Sequence, residues 1–217
     1  MKTISLRSYL LLSGLLVVAC VSTSRAQIPM ATEYFPRQNK FEVYGIGEYL
    51  HQTDAAEFNG GVKLRLDDTG MGGVGFAYHF NNFVSAHADF LFGPATFRVE
   101  DPIIGNYVLG HDSYISSGKF NIDYNIINRR LTPFITAGIG YQYMYTSFGN
   151  YYYYGNYYYN YYDETDFTWN VAGGIRWNIT DNFFIKVYGG AQWLTYQDAN
   201  NVTTQIEASF ALGWTFP

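Results

Sequence analysis

Side chains able to do chemistry fall in three places. The first is a set of ionisable residues on one face of alternating segments: His79, His87, Asp89, Lys119, Asp123, Arg176, Lys186 and Glu207. Both signs are present, which suits either a polar passage or a network of paired charges, because isolated buried charges are costly. His79, His87 and Asp89 are residue types that bind metals, but the two histidines flank the Asn81-Asn82 turn at unequal distances. Paired strands across that turn would hold them apart in register, so no metal site is expected. The second place is His111-x-Ser113, a base and a nucleophile that an acid would complete. Glu100, Asp112 and Asp123 offer no single acid, so no catalytic residue is assigned.

The third place is residues 151–162, of which nine are tyrosine: Tyr151, Tyr152, Tyr153, Tyr154, Tyr157, Tyr158, Tyr159, Tyr161 and Tyr162. Tyrosine supplies rigid, amphipathic contact area at low rotamer cost, so the segment reads as a contact element for saccharide, lipopolysaccharide or protein. The same residues also suit a hairpin turning at Gly155-Asn156, with rings packed across its strands. The nearest charges are Asp163, Glu164 and Asp166. A nucleic-acid stacking platform needs basic neighbours, and nucleic acid is not an expected partner.

The elements that must position these residues are strands. Beyond residue 26, alternation of period two recurs and no sustained 3.6-residue stripe appears. Residues 167–179 set Phe167, Trp169, Val171, Ile175, Trp177 and Ile179 against Thr168, Asn170, Ala172, Gly174, Arg176 and Asn178. Similar patterns cover 74–80, 84–92, 114–126, 131–145, 183–195 and 205–216, and a less regular one covers 41–50. That makes eight strands. The connections at 81–82, 128–130 and 180–182 are tight turns, whereas 51–70, 93–112, 146–164 and 197–202 are longer. Short turns at one end and long connections at the other describe an up-and-down meander with both termini at the short-turn end.

The polar face is rich in Gly, Ala, Ser, Thr and Asn, small enough to fit inside a narrow barrel. The opposite face is bulky and nearly free of charge. This predicts an all-β, eight-stranded antiparallel up-and-down transmembrane β-barrel, closed so that no backbone edge meets hydrocarbon. Aromatic residues sit at two levels: Trp169 and Trp177, eight residues apart, differ in height by about 21 Å on a tilted strand, close to the ~25 Å apolar band of such barrels.

Composition agrees. Of the 217 residues only 14% are charged and 20% are aromatic, with a net charge of -5. This excludes a disordered chain and disfavours a domain-wide nucleic-acid surface. Residues 1–26 read as a signal peptide: Lys2 and Arg7, an apolar run over 9–21, and a small-x-small site at Ser24 and Ala26. Residues 27–39 then form a short periplasmic segment and 40–217 the barrel domain. Val17-Val18-Ala19-Cys20 is similar to a lipoprotein box, but the site at Ser24-x-Ala26 is preferred, which removes the one cysteine.

Three motifs carry a family resemblance. Residues 132–141 (TPFITAGIGY) resemble a strand signature of the small bacterial outer-membrane barrels, the OmpA-like, OmpX-like and OmpW-like group. Thr180-Asp181-Asn182-Phe183-Phe184 resembles their periplasmic turn, and Phe210 to Phe216 (FALGWTF) their terminal strand signal, from which Pro217 departs. The resemblance implies the bacterial outer membrane as location. It also implies outer-membrane lipid, lipopolysaccharide and the barrel-assembly machinery as partners, with host or cell-surface ligands as further candidates. His111-x-Ser113 also resembles an element of the lipid A deacylase barrels, though only two residues match. The expected role is structural or surface-interacting, without enzyme activity or cofactor. The alternatives are a channel or transporter for small or apolar solutes, and an outer-membrane lipid-modifying hydrolase.

Overall fold

A computed structural model describes residues 31–102, 105–109, 113–153, 156–195 and 201–217. The signal segment with Cys20 lies outside the described residues, as do His111, Asp112, Tyr154 and Gly155. Twelve strands follow in order: β1 (Phe41–Gln52), β2 (Ala56–Glu57), β3 (Lys63–Leu66), β4 (Thr69–His79), β5 (Val84–Pro94), β6 (Phe97–Asp101), β7 (Gly105–Leu109), β8 (Tyr114–Asn125), β9 (Leu131–Tyr153), β10 (Asn156–Asn178), β11 (Phe183–Thr195) and β12 (Thr203–Phe216).

Eight of them close into an antiparallel barrel in the order β1-β12-β11-β10-β9-β8-β5-β4. Closure is made by β1 and β12, in register from Phe41↔Phe216 to Gln52↔Gln205. Apart from this closing pair, every barrel neighbour is also the next barrel strand in sequence, which is the up-and-down order that the turn lengths require. The strands alternate strictly. In β12, Thr203, Gln205, Glu207, Ser209, Ala211, Gly213 and Thr215 face inward, and the residues between them face out. The outer face is apolar, with Phe92 58%, Phe120 54%, Ile139 54% and Val187 52% exposed.

The other four strands were not anticipated. Residues 51–70 and 93–112 read as long loops, yet β2-β3 and β6-β7 join into one four-stranded sheet through the β3–β6 ladder. These strands are only two to five residues long, and the ladder that holds them pairs Leu64 with Val99. Strands that short carry no period to read, and their partner lies far along the chain. The sheet is amphipathic. Ala56, Leu66, Phe97 and Val99 are buried, and Arg65 and Arg98 lie on the other face.

The 146–164 connection takes the form of the hairpin that its sequence also suited. β9 and β10 run on without a break for 23 residues each, so the tyrosine segment is a continuation of both strands rather than an irregular loop. Its backbone ladder includes Tyr157↔Tyr152 and Tyr158↔Tyr151, with a bulge between Tyr159 and Tyr161.

Residues 33–40 fold beneath the turn end of the barrel. Tyr34 bridges to Arg129, and Arg37 donates to Asn128 Oδ1, Arg129 O and Thr132 Oγ1 at 3.1, 2.5 and 2.7 Å. Phe35 is buried under three cations, with Arg37, Lys40 and Arg130 at 5.5, 4.7 and 5.3 Å from its ring centre. Asn39 (φ 61°) then turns the chain into β1, a left-handed conformation that Asn tolerates.

Candidate functional site

The barrel places all eight polar residues singled out in the sequence inside its lumen, each at most 5% exposed. Their charges meet across the lumen in layers.

Nearest the turn end, the Arg176 guanidinium grips the Glu42 carboxylate with both terminal nitrogens, the longer contact being 2.7 Å from Nη1 to Oε2. His79 Nε2 lies 2.8 Å from Glu42 Oε1, and Asn178 accepts from Arg176 at 3.0 and 3.1 Å. The guanidinium stacks 4.2 Å from the Phe184 ring. Above this, His87 stands between two carboxylates, 3.0 Å from Asp123 Oδ1 and 3.3 Å from Asp89 Oδ2. Lys186 Nζ donates to Asp123 Oδ2 at 3.1 Å, and the Tyr44 hydroxyl donates to Asp89 Oδ1 at 2.6 Å. Next, Lys119 is held by Glu48 at 2.7 Å and Glu207 at 2.6 Å. Gln192 joins Gln142 and Gln205 at 3.1 and 3.2 Å.

His79 is opposite Ser85 and His87 opposite Ala77, a two-residue offset on β4 and β5, and each histidine is engaged by different carboxylates. Among the described residues no group of three or more His, Cys, Asp or Glu is arranged to hold a metal ion.

Sequence reasoning missed Glu42 and Glu48, the acids that hold Arg176 and Lys119. Strict period two from Phe41 would have found them, since Glu42, Tyr44, Ile46, Glu48 and Leu50 all point inward. It also missed how bulky groups share so narrow a space. Gly75 lies under Tyr44: a Cβ there would fall 2.1 Å from the Tyr44 ring and 2.4 Å from Asp89 Oδ1. The missing side chain is the space in which Tyr44 reaches Asp89.

Toward the upper end, apolar side chains also point inward and are buried. Leu50, Met71, Leu91, Ile115, Met144 and Leu194 pack with Leu66 and Phe97 from the small sheet in one buried cluster. The two connections read as free loops thus supply part of a lid over the charged layers.

At the rim outside this lid, a cleft of about 430 Å3 is lined by Arg65, Leu66, Asp67, Asp68 and Arg98. Arg65 and Arg98 are directly opposite across β3 and β6, and Asp67 takes Arg98 at 2.7 Å. Asp68 accepts from the Tyr49 hydroxyl at 2.6 Å and lies 2.5 Å from His51 Nδ1. Burial pushes the Asp68 carboxyl up, but the Tyr49 and His51 hydrogen bonds and the nearby positive charges outweigh it and hold the group below its ordinary value. The cleft is internally neutralised. Ser113 is buried at the barrel rim and bonds to Thr146 at 2.6 Å, while its partner in the sequence motif, His111, lies outside the described residues. Glu100 sits on β6 in register with Lys63, and Asp123 is committed to His87 and Lys186.

The outer wall completes the picture. Aromatic residues cluster toward both ends: Trp169 stacks on Trp193 at 4.1 Å and Tyr114 on Tyr145 at 5.0 Å near the upper end. Near the lower end, Phe183 meets Trp214 at 6.3 Å and Tyr78 meets Phe80 at 5.4 Å.

No family model matches the chain, and no curated protein sequence matches it. Its fold is nevertheless shared with solved structures. Neisserial surface protein A matches with a TM-score of 0.54 and 14% identity, covering 81% of this chain and 97% of that one. The outer membrane protein OprG of Pseudomonas aeruginosa matches at 0.53 and 11%, covering 83% and 97%. Ail, the attachment invasion locus protein of Yersinia pestis, solved with the heparin analogue sucrose octasulfate, matches at 0.50 and 15%, covering 82% and 99%. These likenesses show a shared fold, a closed antiparallel β-barrel.

Proposed function

We propose that this chain is a bacterial outer-membrane barrel with a structural and surface-contact role, whose lumen does not conduct and carries no catalytic centre. One observation carries the reading: the molecule is inverted. Charged residues such as Glu42, Lys119 and Arg176 are at most 5% exposed, while Phe, Ile, Val and Trp cover the wall. Water would penalise such a wall, whereas hydrocarbon matches it, and a closed barrel leaves no edge unpaired there. The stacked aromatics near both ends suit the two membrane interfaces. The signal-like leader directs the chain across the inner membrane, and the alternating aromatics of β12 suit the barrel-assembly machinery. Outer-membrane lipid and lipopolysaccharide then surround the wall.

Function lies where long elements leave the barrel. All of them leave at one end, the extracellular one, and the longest is the tyrosine-rich hairpin of β9 and β10. We assign it the contact role. Cross-lumen ion pairs and the apolar lid favour a sealed barrel over a transporter. Against the hydrolase reading, Ser113 bonds to Thr146, and Glu100 and Asp123 are engaged elsewhere.

The test compares cells carrying wild type with cells in which the tyrosines of 151–162 are replaced by serine, at matched barrel abundance. Binding to envelope glycolipid, matrix protein or partner cells should fall while heat-modifiable gel mobility is kept. Unchanged binding across all three would remove the contact role. Recovery of the protein as a soluble monomer would remove the membrane assignment itself.

A further inference from the structure

The ladder above the barrel rim is where the fold leaves backbone edges open. Among the described residues, β8 pairs with β9 up to Tyr114↔Tyr145, and β11 pairs with β10 up to Thr195↔Phe167. Beyond Tyr145, residues 146–153 pair only with residues of the opposite strand of their own hairpin among the described residues. At ~3.4 Å per residue, this ribbon rises about 25 Å.

A two-stranded ribbon is marginal alone in water, and each of its sides is a row of backbone donors and acceptors open to another strand. Proteins usually blunt such edges with Lys, Pro or inward charges. The run from Thr146 to Tyr162 has none of these: it contains no Asp, Glu, Lys, Arg, His or Pro. Acids begin only at Asp163, at the base of the ribbon.

The two strands also carry the same sequence. Asn-Tyr-Tyr-Tyr occupies 150–153 and again 156–159. The ladder joins one to the other, as Asn156↔Tyr153, Tyr157↔Tyr152, Tyr158↔Tyr151 and Tyr159↔Asn150. The molecule therefore already contains this tetrapeptide paired antiparallel with a second instance of itself. Each outer edge offers the same sequence once more.

We infer that the ribbon pairs edge to edge with the ribbon of a second copy held in an apposed membrane, an inference that rests on the surface-contact reading above. A two-fold axis lying between the membranes sets β10 of one copy antiparallel to β10 of the other, a self-complementary and closed arrangement. Copies related by an axis along the normal of a single membrane would bring like strands together in parallel, the slightly weaker ladder. The uncharged run removes local like-charge repulsion between two net-acidic chains. One ribbon pair is a small contact, but many copies on each surface act together.

Purified, refolded protein in lipid vesicles tests this. Two dye-labelled populations are mixed, with bare vesicles and lipopolysaccharide-containing vesicles without protein as the other arms. Protein vesicles should cluster with protein vesicles and with neither control. A shortened variant, with residues 147–161 replaced by Asn-Gly between the register partners Thr146 and Tyr162, keeps the barrel because that two-residue turn closes an antiparallel pair. It should cluster about tenfold or more slowly, as loss of a multivalent contact requires. A milder variant, Tyr157→Lys with Tyr159→Lys, adds charge to the same edge and should act alike. Equal clustering by wild type and shortened protein overturns the inference, and so does pairing confined to copies within one vesicle. Binding of protein vesicles to lipopolysaccharide vesicles as fast as to each other also overturns it, yet leaves the contact role standing with glycolipid as the partner. Binding to neither overturns the inference and removes glycolipid from the contact role.

Discussion

Lys119 extends from β8 across the lumen to place its ammonium 2.7 Å from Glu48 Oε1 on β1, three strands away around the barrel. The same ammonium is 2.6 Å from Glu207 on β12, so one cation ties two carboxylates on the closing strand pair. Both acids and the lysine are at most 5% exposed. Removing the cation leaves two buried carboxylates facing each other. Lys119→Met should cost about 3–5 kcal/mol, the usual penalty for stripping one partner from a buried pair. Urea unfolding in lipid vesicles measures it, and a loss under about 1 kcal/mol would show that water already enters this layer. Replacing Glu48, Lys119 and Glu207 together by apolar residues should be far less damaging, because no uncompensated charge remains.

Gly75 supplies a second, steric test. A Cβ there would lie within 2.4 Å of both the Tyr44 ring and Asp89, while at Gly72, on the outer face, nothing lies within 4 Å. Gly75→Ala should destabilise by about 1–3 kcal/mol as Tyr44 is driven off Asp89, and Gly72→Ala should be close to neutral. Equal effects would mean that Tyr44 does not occupy the space that Gly75 leaves.

Asp68 gives the pH prediction. Its folded value lies below the ordinary one, so its contribution to stability is complete above the unfolded value and is lost as pH falls through the folded value. The window is therefore the acid side, from about 3.9 downward. A carbon-detected NMR titration of Asp68 should show a midpoint below that of an exposed Asp. Tyr49→Phe should raise it, since the hydroxyl no longer donates to the carboxylate. A midpoint unmoved by that change would contradict the arrangement at the rim.

Arg37 tests the lower cap. Its backbone nitrogen donates to Asn82 Oδ1 at 2.9 Å, and its guanidinium holds the 128–132 turn. Arg37→Ala should cost about 1.5–3 kcal/mol, as charge-assisted hydrogen bonds do, and should speed proteolysis of residues 31–40. It should not open a conductance, because the Arg176 and Lys119 layers above remain. Proteolysis at the wild-type rate would place the cap elsewhere.

The fold was legible where alternation runs unbroken. β12, with its small inner residues opposed by Ile206, Phe210, Leu212, Trp214 and Phe216, and the lower half of β10 both announce a barrel wall. β1 was harder because its outward positions include Gly45 and Gly47 and its inward ones include Ile46 and Leu50, which blurs the polar and apolar faces. Glu42 and Glu48 were lost with it, and with them the partners of Arg176 and Lys119. The small sheet was not legible at all, since β2 has two residues and the β3–β6 ladder that joins its two hairpins pairs segments far apart in the chain. Local pattern finds residues that face the lumen, and pairing across the lumen is set by the barrel as a whole. The tyrosine segment was legible as composition and as a hairpin, while its exact register and the bulge between Tyr159 and Tyr161 depend on pairing that composition leaves open.

Planar-bilayer recording of the folded wild-type protein tests the central claim most directly. Ion pairs from Glu42 to Lys119 and the apolar cluster of Leu50, Met71, Ile115 and Met144 occupy the lumen in succession. The sealed barrel predicts membrane insertion with no sustained current at moderate voltage, for wild type and for the shortened hairpin alike. Stable single-channel steps of nanosiemens size from wild type would contradict it and return the lumen to the role of a pathway.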